Sequence, residues 1–128
     1  MSYHISKTLA LSFDEALAAT VAALHKHGFG VLTDIDVQAT LKKKLDVAFR
    51  PYRILGACNP KMAYQALGIE DKIGTMLPCN VIVQQHEDGK VEVSAVDPVA
   101  SMQGIENHEL TRLAGTVREM LRQTISEI

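Results

Sequence analysis

Two short turns hold the residues of this sequence best suited to chemistry, Gly56-Ala57-Cys58-Asn59-Pro60 and Met76-Leu77-Pro78-Cys79-Asn80. A cysteine thiolate is both a nucleophile and a soft metal ligand, and a neighbouring asparagine supplies amide donors and an acceptor. Asn59-Pro60 also reads as a helix start, because asparagine caps free N–H groups and proline brings a φ suited to the first helical position. Cys58 would then stand just outside a helix N-terminus, where the dipole favours a thiolate. Pro78-Cys79-Asn80 leads into Val81-Ile82-Val83, the start of a strand, so the two turns would lie together if their strands are neighbours. The structural reading is the favoured one: cysteine is among the most often buried residues, and both turns are ordinary corner chemistry.

Metal binding finds less support. Structural zinc needs about four ligands, and neither cysteine has a C-x-x-C partner or a histidine at zinc-finger spacing. A two-thiolate site for a soft ion such as Cu(I) is a minor option that requires the sulfurs to converge. No metal and no cofactor is therefore assigned. His25 and His27 are two residues apart on a helix, roughly 200° around its axis, and cannot share an ion. His4, His86 and His108 are scattered among polar residues. The nucleophile-elbow, dinucleotide and P-loop patterns are absent, and no base accompanies the thiols, so the reading leans away from an enzyme. Lys42-Lys43-Lys44 with Arg50, Tyr52 and Arg53 could receive an anion, although a solvated helix face accounts for the lysines more simply. Helix capping explains Asp34 and Asp36 without a divalent ion.

Size and charge bound the remaining readings. A chain of 128 residues, 47% hydrophobic and 22% charged, has enough apolar side chains for one core and is read as a single domain, residues 1–128. Its formal charge of −2 offers no general attraction to nucleic acid or to anionic lipid. The N-terminus lacks a secretory pattern, and no apolar run approaches the ~20 residues that cross a bilayer. Two cysteines are too few for a disulfide framework. The expectation is a cytoplasmic protein with reduced thiols, with no nucleic acid or membrane as partner.

The elements that must position the turns can be read in order. Tyr3 to Leu11 is extended. Ser12-Phe13-Asp14-Glu15 is a capping box, followed by Phe13, Leu17, Val21 and Leu24 at helical spacing and by Gly28 where a left-handed cap is wanted. Phe29 to Leu32 is a short buried strand running to Thr33, and Asp34 or Asp36 caps a helix from about Val37 to Leu45. Arg50 to Ala57 is a third strand, and a short helix runs from Pro60 to Gly68. Met76 to Gln85 and Lys90 to Val96 form a hairpin through Asp88-Gly89. After an irregular stretch to Gly104, Leu110, Leu113, Ala114, Val117, Leu121 and Ile125 mark one face of a long final helix. The predicted fold is α+β, a single mixed, mainly antiparallel five-stranded sheet with helices packed on it, in the order β-α-β-α-β-α-β-β-α.

The blocks H-G-F-G-V-L-T-D-I-D at 27–36, R-P-Y-R-I-L-G-A-C-N-P at 50–60, L-P-C-N-V-I-V at 77–83 and V-D-P at 96–98 resemble an uncharacterised bacterial and archaeal family, the domain of unknown function numbered three hundred and two. The resemblance spans nearly the whole chain and implies a compact α/β domain with a mixed sheet. It carries no reaction over to this sequence. Its hallmark positions fall on Gly28, Phe29, Asp36, Pro51, Tyr52, Cys58, Asn59, Pro60, Pro78, Cys79, Asn80, Asp97 and Pro98. The functional expectation is a pocket for a small molecule, or a partner surface, around Cys58, Asn59, Pro78, Cys79 and Asn80, with Asp36 and Tyr52 as contributors. The alternatives are a thiol enzyme or sulfur carrier using Cys58 or Cys79, and a purely structural or regulatory dimerisation module. Open sheet edges favour a homodimer in each case.

Overall fold

The computed structural model describes residues 2–128. Strand β1 (His4–Leu9) is followed by α1 (Phe13–Lys26), β2 (Gly30–Asp36), α2 (Val37–Leu45), β3 (Tyr52–Cys58) and α3 (Pro60–Ile69). A 3-10 turn at Ile73–Met76 precedes β4 (Cys79–Gln85), β5 (Val91–Val96), the short α4 (Pro98–Ser101) and α5 (His108–Ser126). The sheet has the spatial order β1-β5-β4-β3-β2, and every pairing in it is antiparallel. The expected α+β class and element order are found, but the sheet expected to be mixed is wholly antiparallel, and the one-turn α4 is added inside the stretch read as irregular.

Local chemistry accounts for the helix starts. Ser12 Oγ accepts from Glu15 N–H at 3.1 Å, and Glu15 Oε1 accepts from Ser12 N–H at 3.0 Å, which completes the capping box. Asp36, not Asp34, caps α2 by accepting from Ala39 N–H, while Asn59 and Asn107 cap α3 and α5 in the same manner. Gly28 turns the chain out of α1 with φ +86°, a conformation that strains residues with a Cβ.

Strand alternation divides the sheet into two faces. Leu55, Ala57, Val81, Val83, Val91, Val93 and Ala95 are buried, and α1 and α5 lie against the same strands and against each other. The α5 stripe falls as expected, with Leu110, Ala114, Val117, Leu121 and Ile125 buried. The α1 stripe is displaced. Ala16, Thr20 and Leu24 are buried, whereas Val21 is 41% exposed. The burial of Thr20 is possible because its hydroxyl donates to Ala16 C=O at 2.7 Å, so a polar side chain closes its own hydrogen bond within the helix. The opposite sheet face carries half-buried Ile54 and Ile82, exposed Ile35, and Ser6 and Ser94 joined through their hydroxyls at 2.7 Å. No helix among the described residues is long and apolar enough to cross a membrane.

Candidate functional site

The site lies where β3 gives way to α3 and the chain returns into β4. Ala57 is the register partner of Cys79, so Cys58 is one residue diagonal to Cys79. Neighbouring-strand geometry sets their Cα atoms about 6 Å apart. Alternation alone would send their side chains to opposite faces. At Cys58 the strand ends, however, and the backbone turns into the cap of α3, where Asn59 Oδ1 accepts from Met62 N–H at 3.0 Å. Both cysteines consequently line one cavity, and both are free thiols.

Close packing holds the second turn against the first. A Cβ on Gly56 would stand 2.7 Å from Pro78 Cγ and 2.2 Å from Thr33 Oγ1, so the glycine is the space into which the Pro78 ring and the β2 side chain fit. The Leu77-Pro78 peptide is cis. A Cβ on Gly28 would approach Asn59 Nδ2 at 3.0 Å, which brings the α1–β2 corner onto the cap of α3.

Helices complete the wall. Met62, Ala63 and Ala66 line it from α3, and Leu110, Leu113, Ala114 and Val117 line it from α5 at spacings of three and four. Phe29, Leu77, Pro98 and Met102 close the remainder. The cavity is about 40 Å³, room for about three water molecules. Among the described residues that line it there is no acid, histidine, lysine or arginine.

The electrostatics follow from these surroundings. Burial away from water, reinforced by the nearby Cys58 sulfur, pushes the Cys79 thiol up to about 11. The thiolate form of Cys79 is accordingly disfavoured at neutral pH. Cys58 is only partly buried. Beside the cavity, Asp97 is buried and caps α4, accepting from Val99 N–H at 2.9 Å and Ala100 N–H at 3.4 Å. Its other carboxylate oxygen lies 3.8 Å from Arg118 Nη1. Arg118 Nε is buried without a hydrogen-bond partner among the described residues.

Of the residues singled out in the sequence, Cys58, Asn59, Pro78 and Cys79 come together and three do not. Asn80 is exposed and paired with Gly56, on the sheet face opposite Cys79. Asp36 is occupied as the α2 cap and lies 3.7 Å from Arg53 Nη1. Tyr52 belongs to the opposite sheet face, in register with Gln84 and tilted against Phe49. Strand parity explains the outlying position of Tyr52, since it is odd-numbered steps from Ala57 and so points away from it.

Three of the basic residues considered for an anion have partners within the fold. Arg53 donates to both oxygens of Asp34 at 2.8 and 2.7 Å, and this pairing holds the Asp34 carboxyl below the usual carboxylate range. Arg50 stacks over Phe49 and Tyr52 and donates to Gln84. Lys42 pairs with Asp46. A second, wide groove between α1 and β2–β3 is flanked by this same Arg53–Asp34 pair. Sequence reasoning did not find Met62, Met102 or the α5 contribution to the cavity. Met62 had a usable signal, its place in the first turn after Asn59-Pro60, but the Met102 contact depends on the unexpected α4.

The model of the family described as domain of unknown function DUF302 matches residues 5–128. The chain belongs to the DUF302 family. Among solved structures it is similar to an uncharacterized conserved DUF302 protein from Bacillus stearothermophilus, with a TM-score of 0.93 at 24% identity, covering 99% of this chain and 98% of that one. The likeness at that identity is one of fold. No curated protein matches the sequence. For DUF302 the resemblance noted in the sequence is therefore confirmed, and it carries no assigned reaction.

Proposed function

We propose that this DUF302 chain is a small-ligand binding domain and not a catalyst, with its site in the cavity between the two cysteine turns. The observation that carries this reading is the convergence of Cys58, Asn59, Pro78 and Cys79 on one apolar cavity with no acid or base among its described lining residues. Acid–base catalysis requires such a group within hydrogen-bond reach of the reacting atom. The cavity is too small for a nucleotide or sugar and suits an atom or a very small molecule. The thiol-enzyme alternative narrows to Cys58, because Cys79 is held protonated by burial.

Xenon under pressure is a direct test, since small apolar cavities take up this atom. Amide chemical-shift changes should concentrate at Cys58, Cys79, Ala66 and Ala114, and should be lost in Ala114→Leu. Changes scattered over the surface, or unchanged in Ala114→Leu, would overturn the reading. The same chain is proposed to act as one domain, in the reducing cytoplasm where free thiols persist, and to pair with a second copy. Support for self-association comes from β1 and β2, each bonded on one side only among the described residues, with Leu32 and Ile35 exposed on β2. Sedimentation equilibrium should report a dimer, and a monomer at NMR concentration would exclude it.

A further inference from the structure

Sulfur is concentrated in the cavity beyond the cysteines. Met62 lies on the first turn of α3, four residues after Cys58, and its N–H donates to Asn59, which ties its backbone to the cysteine turn. Met62 lines the cavity together with Cys58 and Cys79, and Met102 lines it as well. Two cysteines and two methionines thus line a cavity of about 40 Å³ whose other lining residues are apolar apart from Asn59. We propose that Cys58, Cys79 and Met62 bind a single soft monovalent cation of the copper(I) class. This inference rests on the cavity being a ligand site and names the ligand.

The donor set selects the ion. Thiolate and thioether sulfur prefer Cu(I), whereas Mg²⁺, Ca²⁺ and Mn²⁺ require oxygen ligands and structural Zn²⁺ takes about four cysteine, histidine or carboxylate ligands. Among the described residues no group of three or more His, Cys, Asp and Glu side chains is placed to hold a metal, so a zinc set is not assembled here. A d¹⁰ monovalent ion accepts two or three sulfurs, and the size of the cavity suits a bare ion better than a hydrated one. The apolar wall strips water from the ion and from the sulfurs, which favours the soft partner that holds its water least strongly. On binding, each cysteine forms a Cu–S bond and gives its S–H proton to solvent, with no change of oxidation state. The bound centre carries one net negative charge from two thiolates and one cation. It sits beside the N-terminus of the ten-residue α3, whose dipole favours that charge.

The test uses the full chain, reduced and without oxygen, taking Cu(I) by competition from a coloured Cu(I) chelator. One equivalent per chain should transfer, with a thiolate-to-copper charge-transfer band in the near ultraviolet. Cys58→Ser should weaken binding at least about 100-fold, more than the loss of an outer-shell partner, and Met62→Leu about 10-fold. Cys58 is the informative site because it is only partly buried. Cys79→Ser, which places a hydroxyl in the core, is read only if its circular dichroism matches the parent. Absence of the band, affinity unchanged in Cys58→Ser, half an equivalent per chain, or Zn²⁺ held as tightly as Cu(I) would each overturn the proposal. Xenon uptake without copper binding sinks the ion and leaves the cavity reading standing, whereas loss of both sinks both.

Discussion

Substituting Gly56 by alanine tests the packing on which the cavity depends. The added methyl would meet Thr33 Oγ1 at 2.2 Å and the Pro78 ring at 2.7 Å. These neighbours differ in how they can yield. Thr33 is exposed and can rotate its hydroxyl away at a cost of about 1 kcal/mol. Pro78 Cγ belongs to a ring closed onto the backbone, so relief there requires the Leu77–Cys79 segment to move. Overpacking of this kind costs about 1–3 kcal/mol. At about 4 °C per kcal/mol for a domain of this size, Tm should fall by about 8 °C in a thermal melt followed by circular dichroism. Adding Thr33→Ala should recover only the part of the loss due to the hydroxyl, because the ring contact stays. Displacement of Pro78 should also open the cavity, so Cys79 should be alkylated faster in Gly56→Ala than in the parent. A loss below about 0.5 kcal/mol, or full recovery by Thr33→Ala, would refute the claim that the glycine seats the proline turn.

With its thiol at about 11, Cys79 is about one part in ten thousand thiolate at pH 7, so in a Cys58→Ser background alkylation should be slow until strongly alkaline pH. Because burial raises this thiol from 9.0 to about 11, the folded chain keeps a proton that the unfolded chain releases. Stability should therefore decline between those pH values, by about 3 kcal/mol in all, and Cys79→Ala should remove that part of the slope in urea titrations. Asn59→Ala deletes the α3 cap and should cost about 1 kcal/mol by chemical denaturation, with the Met62 amide becoming faster to exchange. Asp34→Asn breaks an ion pair whose acid is 41% exposed, so its cost should stay below about 1 kcal/mol. The Asp34 carboxyl is lowered by the Arg53 hydrogen bond, so this contribution is present above the ordinary carboxylate range and should vanish in acid, measurable as parent and variant stabilities converging there.

Much of the architecture was legible because it depends on neighbours in sequence. Ser12 with Glu15, Asn59 with Pro60, and Asp88 with Gly89 act over four residues or fewer, and the α5 stripe follows from helical period alone. The DUF302 blocks were likewise readable as a linear pattern. The misplaced parts depend on long-range contacts. Val21 lost its place in the core to Thr20, whose hydroxyl finds Ala16 C=O, because the direction in which α1 meets the sheet decides which stripe is buried.

The two cysteine turns show the same division. Their chain-local character, a cysteine before a helix cap and a cysteine at a strand start, was determined by the residues themselves. Their meeting was decided by the β3–β4 register, which sets Cys79 opposite Ala57, and by the break in β3 that turns Cys58 toward the same space. Tyr52 was excluded by a strand parity that points it to the other face, whereas Asp36 is taken up by a local helix cap that the sequence already offered. The thioether of Met62 and the wall of α5 joined the cavity only through packing. Hydrogen bonds within a turn are encoded by a few adjacent residues, but a cavity is bounded by segments distant in sequence, and its contents are fixed only when those segments pack.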